Sequence, residues 1–141
     1  MKKNLDDNCI FCKLANGIIP TNAIYEDDDF KVIMDTAPAS KGHAIILPKT
    51  HAANLLELPD DYCAKIMGVA KRCAGAMMKT LGCTGLNVLQ NNGESAGQTV
   101  FHLHVHLIPR YDNDQIHIKW TPNEKTTDDP AEIAELIRKG L

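Results

Sequence analysis

The stretch FHLHVHLIPR, Phe101 to Arg110, decides how the whole chain is read. His102, His104 and His106 alternate with Leu103, Val105 and Leu107. Successive side chains of an extended strand point to opposite faces. One face of this strand therefore carries three imidazoles and the other three aliphatic side chains. A lone histidine in a strand is usually a satisfied structural residue. Three in strict alternation, out of six in the chain, point to metal binding or to proton and nucleophile chemistry. Imidazole is a ligand, a base and a nucleophile near neutral pH.

Working outward, NNGESAGQT, Asn91–Thr99, is a polar, glycine-bearing loop that feeds the histidine strand, and GLNVLQ, Gly85–Gln90, is a strand before it. Between Leu58 and Gly82 the apolar residues Cys63, Ile66, Met67, Ala70, Cys73, Ala74, Met77 and Leu81 recur at helical spacing. Pro59 with Asp60 and Asp61 starts this main helix and Gly82 stops it. HAIILP, His43–Pro48, is nearly all apolar, as a central strand should be. Two short strands, Ala23–Glu26 and Phe30–Asp35, flank the acidic turn Asp27–Asp29, and CIFCKLANGIIP is a short helical turn stopped by Gly17 and Pro20. Past Arg110 the alternating piece IHIKW reads as extended. DDPAEIAELIRKG reads as a terminal helix capped by Asp129, with Pro130 in its first turn and Gly140 after its end. Strands in consecutive runs rather than regular strand–helix alternation predict an α+β fold: an antiparallel sheet with one main helix packed on it.

A chain of 141 residues is expected to form one domain. Its net charge of −3 argues against a dedicated nucleic-acid binder. Two lysines near the start precede no long apolar run, so no secretory signal is expected, and no segment is long enough to span a membrane. Five cysteines without a signal peptide indicate reduced thiols and a cytoplasmic protein. Cys63 and Cys73 lie on the apolar face of the main helix and read as core; Cys83, in a turn, has no assignment. Cys9 and Cys12 form a C-x-x-C pair with three readings: one edge of a tetrahedral zinc site, a redox pair, or two buried cysteines. No thioredoxin-like strand precedes them. Further zinc ligands would have to come from His51 or from a member of the triad.

The run FHLHVHLI, of the form His-φ-His-φ-His-φ-φ with φ apolar, resembles the signature of the histidine triad (HIT) family, in particular its Hint-like branch. CIFCKLANGIIP, YEDDDFKVIMD, KGHAIILPKTH and NNGESAGQTVFHLHVH resemble further blocks of that family in the same order. The likeness covers roughly Cys9 to Tyr111 and leaves 112–141 as a C-terminal extension on a single HIT domain. It implies a five-stranded antiparallel sheet with a main helix and a short N-terminal helix, paired with a second copy in a homodimer. It also implies a nucleotide hydrolase or nucleotidyl transferase acting on purine nucleoside phosphoramidates or dinucleoside polyphosphates. His104 would be the nucleophile on the α-phosphorus, its other nitrogen held by a backbone carbonyl near His102, and His106 would assist at the phosphate or leaving group. Asn91, Gly97, Gln98 and Thr99 would surround the phosphates, Asp35 would accept from the ribose hydroxyls, and Ile33 would line the base slot. A structural zinc would sit on Cys9, Cys12, His51 and His102. His43 and His117 fall outside these roles and read as ordinary strand or surface histidines. Trp120 reads either as packing or as part of a segment reaching the partner's site. Two other functions compete: a nucleotide-binding or interaction protein with incidental turnover, and an enzyme whose three triad histidines hold a catalytic metal.

Overall fold

The computed structural model describes residues 3–122 and 128–141. Its elements are α1 (Ile10–Ala15), β1 (Ala23–Glu26), β2 (Phe30–Met34), β3 (Ala44–Pro48), α2 (Asp60–Thr80), β4 (Gly85–Leu89), β5 (Val105–Arg110) and α3 (Pro130–Lys139). The strands form an open antiparallel sheet in the order β1-β2-β3-β5-β4. The α+β class expected from the strand runs is the class observed. Among the described residues no helix is long and apolar enough to cross a membrane.

Alternation on β2, β3 and β5 explains how the sheet acquires two covered faces. Phe30, Val32, Ala44, Ile46, Val105 and Leu107 point to one side and pack with Tyr62, Ile66, Val69, Ala70, Cys73 and Met77 of α2. Ile33, Ile45 and Leu47 point to the other side and pack with Ala15, Phe11 and Leu14 of the α1 segment. β3 is buried along its whole length, which is why its sequence is an unbroken apolar run rather than an alternating one. Each buried Val, Leu, Ile, Phe or Met among these contributes ~1.5–3 kcal/mol by leaving water, and each alanine less.

Three sequence expectations need correction. The buried stripe of α2 includes Tyr62 and Val69, whereas Met67 is 59% exposed. The sheet is reached by a face rotated slightly from the one the periodicity favoured. The histidine strand pairs only from Val105 onward: the ladder with β3 ends at Ile46↔Val105. Pro48 has no N–H to extend it, its carbonyl faces the His102 ring, and Leu103 N–H donates to Ala52 O at 2.7 Å. The alternation of faces survives outside the ladder, because Leu103 still joins the α2-side core and His104 the opposite side. IHIKW forms no strand; Arg110 donates to Ile116 O at 2.7 Å, and Trp120 is 82% exposed. The helix ends behave as read: Asp129 accepts from Ala131 N–H, Pro130 opens α3, and Gly82 adopts φ +70° just past α2.

Gly42 marks the turn that delivers β3. It has φ +90°, and a Cβ there would run into the Leu81 side chain at the end of α2, with Pro109 Cγ 3.3 Å away. The positive φ therefore favours glycine, and an added Cβ would in addition require the Leu81 side chain to shift. Gly42→Ala is expected to lower unfolding free energy by ~1–3 kcal/mol; urea denaturation showing a loss below ~0.5 kcal/mol would contradict this account.

Candidate active site

Backbone groups fix the proton positions of three imidazoles without ambiguity, because a carbonyl can only accept and an amide N–H can only donate. His104 Nδ1 lies 2.8 Å from the carbonyl of His102. The proton is therefore on Nδ1 and the lone pair on Nε2. His102 Nε2 lies 3.0 Å from Pro48 O, so that nitrogen carries its proton and Nδ1 is free to accept or ligate. Ala39 N–H donates to His43 Nδ1 at 2.9 Å. Neutral His43 must then carry its proton on Nε2, which faces His106 Nδ1 at 2.9 Å and Asp35 Oδ2 at 3.5 Å. His106 Nδ1 accepts, and its remaining proton sits on Nε2.

His43 is thus a member of the site and not an ordinary strand histidine: it is 5% exposed and bridges Asp35 to His106. Sequence reasoning missed it because its partner lies 63 residues away. The available signal was its place immediately before β3, once β3 and β5 are paired so that Ile45 stands opposite His106. His117 is exposed, as expected.

A cavity of about 620 Å³ opens on the sheet face opposite α2. Ile33, Asp35, Thr99, His104 and His106 all line it, together with His43 and the apolar residues Ile10, Phe11, Leu14 and Ile19. The His104 and His106 rings stand edge to face, with centroids 4.9 Å apart. Phe11 meets His104 edge-on at 5.0 Å. Asn91, Gly97 and Gln98 are not on the cavity wall. Gln98 is 3% exposed, and its side chain is spent on the loop. It donates to Ala53 O at 2.6 Å and Val100 O at 3.0 Å and accepts from Gly93 N–H at 2.8 Å. Its amide braces the loop that presents Thr99. Gly97 holds φ +93° at the end of the single 3₁₀ turn Glu94–Ala96. Asp35 accepts from Ala37 N–H through Oδ1 at 2.8 Å, which leaves Oδ2 toward His43 and the cavity.

Burial pushes His106 down to about 4, helped by the neighbouring charges of His104 and His43 and opposed by Asp35. Burial also pushes His43 below its ordinary value, again against Asp35. Both are neutral at pH 7.

On the far side of His102 the four donors Cys9 Sγ, Cys12 Sγ, His51 and His102 lie within 4.8 Å of one another. His102 Nδ1 is 3.4 Å from Cys9 Sγ and 3.5 Å from Cys12 Sγ, and His51 Nδ1 is 3.5 Å from Cys12 Sγ. Adjacent sulfur and nitrogen ligands of a tetrahedral zinc lie ~3.6 Å apart, so the donor set fits such an ion without rearrangement. Pro48 O supplies the outer hydrogen bond that orients a ligating imidazole. Burial pushes the Cys12 thiol well above its ordinary range, so a thiolate there depends on a cation. Asp35, His43 and His106 form a second group of the same compactness, but it suits a proton and not a metal. The His43 and His106 ring centroids are 5.1 Å apart with a 2.9 Å N···N contact. The two nitrogens therefore aim at each other and do not converge on a common point to one side. Nor do the three triad histidines converge: one ring faces the thiols, one the His102 carbonyl and one His43.

Comparison with known proteins places the chain in a family. Residues 16–113 match the model of the HIT domain family. The adenosine 5'-monophosphoramidase HNT1 of Saccharomyces cerevisiae is 41% identical over 96% of this chain and 84% of its own. The crystal structure of SMU.412c from Streptococcus mutans UA159 superposes with a TM-score of 0.90 at 38% identity, covering 96% of this chain and 86% of that one. A zinc-bound histidine triad family protein from Mycobacterium smegmatis superposes with a TM-score of 0.74 at 34% identity, covering 94% and 91%. The chain belongs to the HIT family, in its Hint-like branch.

Because His43 and His106 are both held below the 6.5 of an unfolded histidine, the unfolded chain binds more protons as pH falls below 6.5. The stability linked to each is complete above pH 6.5 and is lost as pH falls, for His106 down to about 4. The slope is at most ~1.4 kcal/mol per pH unit for each group. Urea unfolding at pH 7 and pH 5 should show the fall, and His106→Asn should flatten it. An equal slope in the variant would mean that His106 titrates normally in the folded protein.

Proposed function

We propose that this protein is a nucleotide hydrolase and nucleotidyl transferase that works at the α-phosphate of purine nucleoside phosphoramidates or dinucleoside polyphosphates. The observation that carries the reading is the pair of opposed tautomers on one cavity wall: a lone pair on His104 Nε2 beside an N–H on His106 Nε2. His104 attacks the α-phosphorus. The bond to the leaving group breaks with its electron pair, and the departing group takes a proton from water. The nucleotidyl imidazolium that forms keeps its Nδ1–H on the His102 carbonyl, where a positive ring is favoured. Water then displaces His104 from phosphorus, gives up a proton that neutralises the hydroxide left by the first step, and returns His104 to its starting tautomer.

His106 is neutral, so its part is to donate a hydrogen bond to charge developing on the phosphate, not to deliver a proton. Thr99, on the cavity wall, adds a donor on the same side. The apolar wall of Ile33, Ile10 and Phe11 receives the purine, and Asp35 Oδ2 accepts from the ribose. A zinc ion, where bound to Cys9, Cys12, His51 and His102, acts as a structural cross-link whose four protein donors leave no open position. The odd number of cysteines, five, fits reduced thiols and a cytoplasmic location.

Turnover of adenosine 5'-phosphoramidate should fall at least ~1,000-fold in His104→Ala. Wild type quenched early with substrate labelled in the α-phosphate should carry acid-labile label on His104. Two displacements give net retention at phosphorus; net inversion would mean direct attack by water and would refute the mechanism.

The same reading makes the protein a zinc-containing homodimer. β4 is an open sheet edge with Val88 exposed on it, and Met67 and Met78 leave apolar surface uncovered on α2. Ile133, Leu136 and Ile137 on α3 are likewise uncovered. Elemental analysis should find about one zinc per protomer, and Cys9→Ser with Cys12→Ser should abolish it and lower Tm. Sedimentation should give a dimer at micromolar concentration. Zinc-free protein from chelator-free purification, or a monomer, would overturn the corresponding half.

A further inference from the structure

The residue expected to do chemistry sits on a piece of chain that the sheet does not hold. Pairing between β3 and β5 begins at Ile46↔Val105. His102 and His104 precede it, where ladder hydrogen bonds end. His102 anchors this piece in three directions at once. Its ring is fully buried, with Nε2–H on Pro48 O at 3.0 Å and Nδ1 at 3.4 and 3.5 Å from the Cys9 and Cys12 sulfurs. Its main-chain carbonyl receives the Nδ1–H of His104 at 2.8 Å. Phe11, placed on α1 between the two cysteines, stands edge-on to both rings, 6.0 Å from His102 and 5.0 Å from His104.

We propose that His102 is a positioning residue through which the two-thiol, two-imidazole centre sets the tautomer of His104. Ligation at Nδ1 fixes the His102 ring, the fixed ring holds the segment outside the ladder, and the held carbonyl keeps the His104 proton on Nδ1. A neutral imidazole in water prefers its proton on Nε2, the nitrogen that must stay bare to attack phosphorus. Loosening the carbonyl therefore turns the lone pair away from the cavity at unchanged charge. The thiols cannot substitute for a bound ion. A thiol proton is a weak donor to Nδ1, and it leaves α1, with Phe11, without a cross-link to the sheet. The centre described above as structural thus acts on reactivity through one side chain. His43 and His106 provide an internal control, because Ala39 N–H fixes their tautomers with no contribution from the centre.

This inference rests on His104 being the nucleophile, but its test needs no substrate. Long-range ¹H–¹⁵N correlation spectra of the full chain, labelled at histidine, report each tautomer in the metal-loaded, chelator-stripped and zinc-restored protein. Stripping should move His104 from Nδ1–H toward Nε2–H, leave the His43 and His106 signals in place, and reverse on adding zinc. In parallel kcat should fall at least ~5-fold, with KM changing less than ~2-fold. If stripping unfolds the chain, Cys9→Ser, which retains three donors, is read in the same way. A folded stripped protein or variant that keeps His104 as Nδ1–H and keeps kcat, with only a lower Tm, overturns the proposal. A tautomer that follows the metal in a protein that never carries label on His104 supports the coupling and refutes the proposed reaction instead.

Discussion

A fully buried imidazole must satisfy both of its nitrogens, and the rest of the site follows from how His102 does so. Pro48 O takes one nitrogen and the Cys9–Cys12 pair faces the other. Leaving either unpaired would cost a few kcal/mol. To meet the demand the N-terminal segment must fold back over the sheet, which places α1 against Ile33, Ile45 and Leu47. That packing creates the apolar wall opposite His104. The cavity therefore exists because a polar residue was buried, and its shape is set from the side away from the reacting atoms.

Two levels of organisation share this region without interfering. The α2 side of the sheet is a conventional aliphatic core, to which β2, β3 and β5 contribute every second residue. The other side is polar where the histidines line up and apolar where α1 lies. β5 belongs to both, with Val105 and Leu107 in the core and His106 in the cavity. Rigidity on one face thereby serves chemistry on the other.

Most of this was legible because period-two alternation and helical spacing survive translation into contacts. β2 read correctly for that reason, β3 was legible from its unbroken apolar run, and the histidine run kept its alternation of faces although its ladder begins only at Val105. The misreadings have a common physical origin. Alternation in IHIKW shows what a segment is able to pair with, not that an edge is available, and here Arg110 draws its backbone away. His43 looked idle because its meaning depends on the register between two strands far apart in sequence. The family resemblance put Gln98 among the phosphate donors, but its buried amide is taken up by Ala53 O, Val100 O and Gly93 N–H. The resemblance to the HIT family supplied roles for residues; the hydrogen-bond partners supplied the reasons those roles are physically available.

The groups that orient His104, His102 and His43 are the carbonyls of His102 and Pro48 and the amide of Ala39. All three belong to the main chain. Only the Pro48 position has a side chain that alters its own backbone bonding, and even there the carbonyl is retained in any substitution. Substitution at these three positions, proline at Ala39 apart, leaves the orienting groups in place. Sequence drift around the cavity can accordingly reshape what enters it, while the proton arrangement is exposed to change chiefly through the distant Cys9–Cys12 pair that holds His102.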